Sequence, residues 1–130
     1  MLKKNSKKIA KILLVEDDEF LASMYRSKLE IENYEVLMAL NGEAGLRMAE
    51  EKNPDLILLD IVMPKMNGFE VLKHLKSDKD LKKIPVILLT NLGQKEDVEK
   101  GLKLGADEYL IKAHFLPSEV INKIIKMLNP

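Results

Sequence analysis

The sequence predicts an α/β fold, a doubly wound five-stranded parallel sheet with five helices in a single domain. Short apolar runs occur at Ile12-Leu13-Leu14-Val15, Leu56-Ile57-Leu58-Leu59 and Val86-Ile87-Leu88-Leu89, with a weaker run at Val36-Leu37-Met38 and a shorter one at Tyr109-Leu110-Ile111. Between these runs the apolar spacing changes to the helical period, so strand and helix alternate along the chain. Such alternation requires right-handed crossovers, because each connecting helix must cover one face of the sheet.

The first run has no period-two alternation, which suits a strand buried on both faces. Leu21, Met24, Tyr25 and Leu29 follow at helical spacing and mark the first amphipathic helix. After the second strand, Ala44, Leu46 and Ala49 mark a second helix. Pro54 precedes the third strand and Pro85 the fourth, at positions where a missing N–H is tolerated. Phe69, Leu72 and Leu75 form the stripe of a third helix. Val98 and Leu102 form that of a fourth, which Gly105 would close with a left-handed cap. Val120, Ile124 and Leu128, with Ile121 and Ile125, make the last helix. The sequence contains no internal repeat and no linker.

A length of 130 residues suits one domain with a real hydrophobic core. Apolar residues make up 46% and charged residues 32%, the composition of a folded globular protein rather than a disordered one. Twenty-one basic residues balance twenty-one acidic ones, so no global field draws the chain to nucleic acid or membrane. The absence of cysteine excludes a disulfide framework and a thiol nucleophile and is compatible with a cytoplasmic location. Lys3, Lys4, Lys7, Lys8 and Lys11 crowd the start of the chain, and the apolar stretch after them is too short for a signal peptide or a membrane span. The expected organisation is a flexible basic tail over residues 1–9 and a folded domain over 10–130.

In open α/β sheets the ligand crevice lies beyond the carboxyl ends of the strands. The residues at those ends are Glu16, Asp17 and Asp18 after the first strand, Asp60 after the third, Thr90 after the fourth and Lys112 after the fifth. Polar residues commonly follow strands, so no one of these positions is informative alone; the joint choice of carboxylates, hydroxyl and cation is. Carboxylates about 4 Å apart repel by about 4 kcal/mol at an effective dielectric near 20, so the rim needs a compensating cation. Oxygen ligands without His or Cys favour Mg²⁺, with Mn²⁺ as the alternative. One carboxylate remains free to attack a phosphoryl donor, and the charge that develops needs neutralising by metal, Lys112 and Thr90. Asp60 is the natural nucleophile.

The segments Val15-Glu16-Asp17-Asp18, Asp60-Ile61-Val62-Met63-Pro64-Lys65-Met66-Asn67-Gly68, Leu89-Thr90 and Tyr109-Leu110-Ile111-Lys112 together resemble the receiver domain of bacterial two-component response regulators. The resemblance covers residues 10 to 128. It implies the flavodoxin-like strand order 2-1-3-4-5 and makes Asp60 the phosphoacceptor. It implies that Asp17 ligates the metal directly, Glu16 through water and Val62 through its backbone carbonyl. It further implies a switch in which Thr90 moves toward the phosphoryl group and Tyr109 turns inward, reshaping the face made by the fourth helix, fifth strand and fifth helix. Tyr109 also has a plainer reading, as an aromatic core residue. Asp18 reads as a helix N-terminal residue, Asp55 as a residue at the start of its strand, and His74 and His114 as ordinary surface histidines. The seven methionines read as core filler.

Two departures from the family pattern stand out. Lys112 is followed by Ala113-His114-Phe115 where the family has proline after a cis bond, and a cis bond before alanine costs about 2.5–4 kcal/mol, which leaves the isomer of this bond open. Asn91 stands where the family prefers a smaller residue and would narrow access to Asp60, altering phosphoryl lifetime. The partners implied are a sensor histidine kinase or histidine phosphotransfer protein and a downstream protein target, without direct nucleic acid or membrane binding. The state implied is a monomer or a weak phosphorylation-dependent dimer. The chain is read either as a stand-alone receiver or as a piece of a larger regulator. Competing readings are an aspartyl-phosphate phosphatase of the haloacid-dehalogenase type, a flavin or nucleotide module, and an unphosphorylated binding scaffold. The first wants an acid where Val62 stands, and the second wants a phosphate cradle where Glu16-Asp17-Asp18-Glu19 stands.

Overall fold

The computed structural model describes residues 9–130, so the basic tail expected over residues 1–9 falls, up to residue 8, outside the described residues. Five strands, β1 (Lys11–Val15), β2 (Glu35–Ala39), β3 (Leu56–Leu59), β4 (Val86–Thr90) and β5 (Glu108–Ile111), alternate with five helices. These are α1 (Glu19–Ile31), α2 (Gly42–Lys52), α3 (Gly68–Ser77), α4 (Lys95–Lys103) and α5 (Pro117–Leu128). All strand pairs are parallel, in the order β2-β1-β3-β4-β5. No helix among the described residues is long and apolar enough to cross a membrane.

The unbroken apolar runs follow from burial on both faces. Leu13, Val15, Ile57, Leu59, Val86 and Leu88 point to one side, where Ala49 of α2 and Phe69, Leu72 and Leu75 of α3 cover them. Ile12, Leu14, Leu56, Leu58, Ile87 and Leu89 point to the other, against Ala22, Tyr25 and Leu29 of α1 and Val120, Ile121 and Ile124 of α5. Each such aliphatic side chain contributes about 1.5–3 kcal/mol when fully buried. Burial on this side of the sheet follows the predicted stripes of α1 and α5 closely.

The stripe predicted for α4 is corrected. Leu102 is exposed, Val98 is only partly covered, and the one buried residue of the helix is Gly101. The methionines are corrected too: the six described ones are half-buried at the margins of the two cores, none inside them. Helix starts agree with cap chemistry. Asp18 is the N-cap of α1 and accepts the Leu21 N–H at 3.1 Å, Asn41 caps α2, and Asn67 caps α3 in a reciprocal capping box with Glu70. Asp55 accepts the Lys11 N–H at 2.7 Å at the start of the sheet, a structural role. Gly105 has φ +112° just after α4, the cap expected of it.

Candidate functional site

Sheet register brings the site together. Val15 pairs with Leu59, so Glu16 and Asp60 occupy the next rung, and the Asp60 N–H bonds the Val15 carbonyl at 3.0 Å. Thr90 pairs with Ile111, which places Lys112 one residue beyond it on the neighbouring strand. Residues 96 positions apart in sequence thereby meet: the Lys112 ammonium donates to Glu16 Oε1 at 2.7 Å and to Asp60 Oδ2 at 2.9 Å.

The remaining carboxylate oxygens are also engaged. Asp60 Oδ1 accepts the Ile61 N–H at 2.7 Å and Glu16 Oε2 accepts the Asp18 N–H at 3.0 Å. Glu16, Asp60 and Thr90 are buried, whereas Asp17 is exposed. Carboxylate oxygens of Glu16, Asp17 and Asp60 all lie within 4.8 Å of one another. Burial pushes the Glu16 carboxyl above its usual range, the Lys112 bond and the Asp18 N–H pull it back, and the charge of Asp60 adds to the rise. Burial alone would lower Lys112, but its bonds to Glu16 and Asp60 outweigh that, so it stays charged. An all-oxygen cluster of three carboxylates suits a hard divalent cation, so the residues present fit Mg²⁺.

Thr90 and Tyr109 meet at the loop after β4. The Leu92 N–H donates to Thr90 Oγ1 at 3.3 Å, and the Tyr109 hydroxyl donates to the Leu92 carbonyl at 2.6 Å. Tyr109 is half-buried, and burial first, then the charges of Asp97 and Asp60, push its hydroxyl up to about 12. Neither reading of Tyr109 covers this bond, because its acceptor is a backbone carbonyl without a sequence signal.

The loop after β3 is bent sharply at Lys65, whose φ of 72° sits inside a turn closed by the Met66 N–H on the Pro64 carbonyl at 2.9 Å. Gly68 then bonds the Ile61 carbonyl at 2.8 Å, and a Cβ there would collide with the Asp60 carbonyl oxygen. Gly68 is thus what lets α3 start against the phosphoacceptor candidate. Lys112–His114 forms a short 3₁₀ turn, and no cis peptide bond occurs among the described residues, so the Lys112-Ala113 bond is trans. His74 and His114 are exposed and take no part in the site, as expected.

Sequence reasoning missed three apolar side chains on the same rim: Phe20 (84% exposed), Val62 (62%) and Leu116 (65%). They follow β1, β3 and β5. The signal available for Phe20 was its place outside the Leu21, Tyr25, Leu29 stripe.

Comparison with known proteins decides the class, because residues 12–125 match the response regulator receiver domain family. The chain belongs to that family. This receiver domain is 40% identical over 118 residues to the alkaline phosphatase synthesis transcriptional regulatory protein PhoP of Bacillus subtilis (strain 168), a match covering 91% of the chain and 48% of that protein. The chain thus spans about half the length of the curated relatives it matches. Its fold is similar to the response regulator receiver domain protein (CheY-like) from Methanospirillum hungatei JF-1, with TM-score 0.87 and 30% identity over 94% of this chain and 95% of that one. Chemotaxis protein CheY4 of Vibrio cholerae aligns with TM-score 0.84 and 30% identity, over 92% of this chain and 98% of that one.

Proposed function

We propose that this receiver domain, residues 10–130, is a phosphorylation-activated switch that accepts a phosphoryl group on Asp60. The observation that carries the reading is the Lys112 ammonium held between Glu16 and Asp60 at 2.7 and 2.9 Å, a cation fixed beside a buried carboxylate. A carboxylate oxygen of Asp60 attacks the phosphorus of a phosphohistidine or small acyl phosphate. The bond from phosphorus to the donor breaks, and an aspartyl phosphate forms. Lys112 then turns its charge to a phosphoryl oxygen. The Thr90 hydroxyl, which uses a lone pair for the Leu92 N–H, keeps its proton to donate to another. Glu16, Asp17, Asp60 and the Val62 carbonyl would hold Mg²⁺, with Mn²⁺ as a substitute, and the bound ion would neutralise charge on the phosphoryl oxygens.

Phe20, Val62 and Leu116, exposed in the segments that follow β1, β3 and β5, give the donor, a sensor histidine kinase or histidine phosphotransfer protein, apolar side chains to dock on. The output runs through Thr90, Leu92 and Tyr109 to the face of α4, β5 and α5, where a downstream protein reads it. Turnover as a phosphatase is disfavoured because Val62 offers no general acid. The test is Asp60→Asn, which preserves the fold by circular dichroism and abolishes phosphorylation by the small donor acetyl phosphate. A label that persists in this variant removes Asp60 from its role.

A further inference from the structure

We propose that Gly101 is a positioning residue for Tyr109: the missing side chain on this turn of α4 is what allows the tyrosine ring to lodge against the helix and hold the loop after β4. A glycine in a helix interior is disfavoured, so its presence calls for a reason. Gly101 is the only buried residue of α4. Left-handed backbone is not the reason, since Gly105 is the one glycine with positive φ among the described residues. Space is. A Cβ at Gly101 would lie 2.7 Å from Leu88 Cδ1, 2.8 Å from Tyr109 Cδ2 and 3.0 Å from Tyr109 Cε2.

The two neighbours differ in freedom to move. Leu88 is fully buried in a central strand, whereas Tyr109 is half-buried on edge strand β5 and can swing toward solvent. A methyl group at position 101 therefore displaces the ring. Displacement breaks the 2.6 Å bond from the Tyr109 hydroxyl to the Leu92 carbonyl, and Leu92 is the residue whose N–H reaches Thr90 at 3.3 Å. Gly101 thereby acts on the loop next to Asp60 without touching the reacting groups. The signalling consequence rests on the switch reading of Tyr109; the positioning claim does not.

The test uses the unphosphorylated chain. Tyrosinate absorbance is titrated in the natural sequence, in Tyr109→Phe to assign the step, and in Gly101→Ala. In Gly101→Ala the Tyr109 step falls from about 12 toward the ordinary tyrosine value of 10.0 as the ring becomes solvated. An unmoved step in a folded Gly101→Ala protein overturns the proposal. As a second measurement, Gly101→Ala is made in a Tyr109→Ala background. There the loss in Tm caused by the alanine shrinks, because the obstructing ring is gone, and an equal loss in both backgrounds overturns the proposal. Failure of the switch reading is seen elsewhere: Tyr109→Phe would then leave the phosphorylation-dependent binding of a downstream target unchanged.

Discussion

Lys112 touches two buried carboxylates at once, and the consequence of removing it follows from what each would then face. Lys112→Ala leaves Glu16 and Asp60 buried without their cation, which should destabilise the metal-free protein by about 3 kcal/mol. Millimolar Mg²⁺ should recover part of that loss, since the acids regain a counter-charge. Urea unfolding in chelator and in Mg²⁺ measures both, and an equal loss in the two conditions would refute the electrostatic account. Tyr109 makes a pH-dependent contribution of the opposite kind. Its hydroxyl is raised from 10.0 to about 12, so between these values the unfolded chain has released more protons than the folded one. Stability that is intact below pH 10 is therefore lost as pH rises toward about 12. Tyr109→Phe should show a shallower alkaline decline in Tm, and identical declines would remove Tyr109 as its source. The acidic, hydroxyl and ammonium side chains of the site were legible in the sequence because each directly follows an apolar run. Leu92 was not, because its part is played by backbone N–H and carbonyl groups, which every residue carries.

At the scale of elements, α3 depends on its cap. Asn67 accepts the Glu70 N–H and Glu70 accepts the Asn67 N–H, each at 3.0 Å, directly ahead of the glycine that packs on Asp60. Asn67→Ala should cost about 1 kcal/mol in urea unfolding and slow Asp60 phosphorylation, because the start of α3 loses its anchor. Unchanged stability would mean that the capping box is not formed in solution. Helix legibility varied for a physical reason. Phe69, Leu72 and Leu75 mark α3 plainly because that face is deeply buried. The buried face of α4 is set by a glycine, which has no hydropathy to read, so Leu102 was assigned to it in error. The turn at Lys65 was likewise invisible, since a lysine gives no warning of φ 72°.

For the molecule as a whole, the strand order 2-1-3-4-5 turns four separate sequence segments into one pocket. The pairings of Val15 with Leu59 and of Thr90 with Ile111 fix which side chains reach the rim, so a slip of one residue in either would reverse their facing. Alternation of strand and helix made the sheet legible. The exposure of Phe20, Val62 and Leu116 was not, because exposure of an apolar side chain depends on the finished surface. The central claim, that converged acids and Lys112 equip Asp60 for a metal-dependent phosphoryl transfer, is tested most directly by intact mass after incubation with acetyl phosphate, with and without Mg²⁺. The account predicts a gain of one phosphoryl group with Mg²⁺ and none in its absence. A protein that stays unlabelled with Mg²⁺ present, or that labels equally well in chelator, would contradict it.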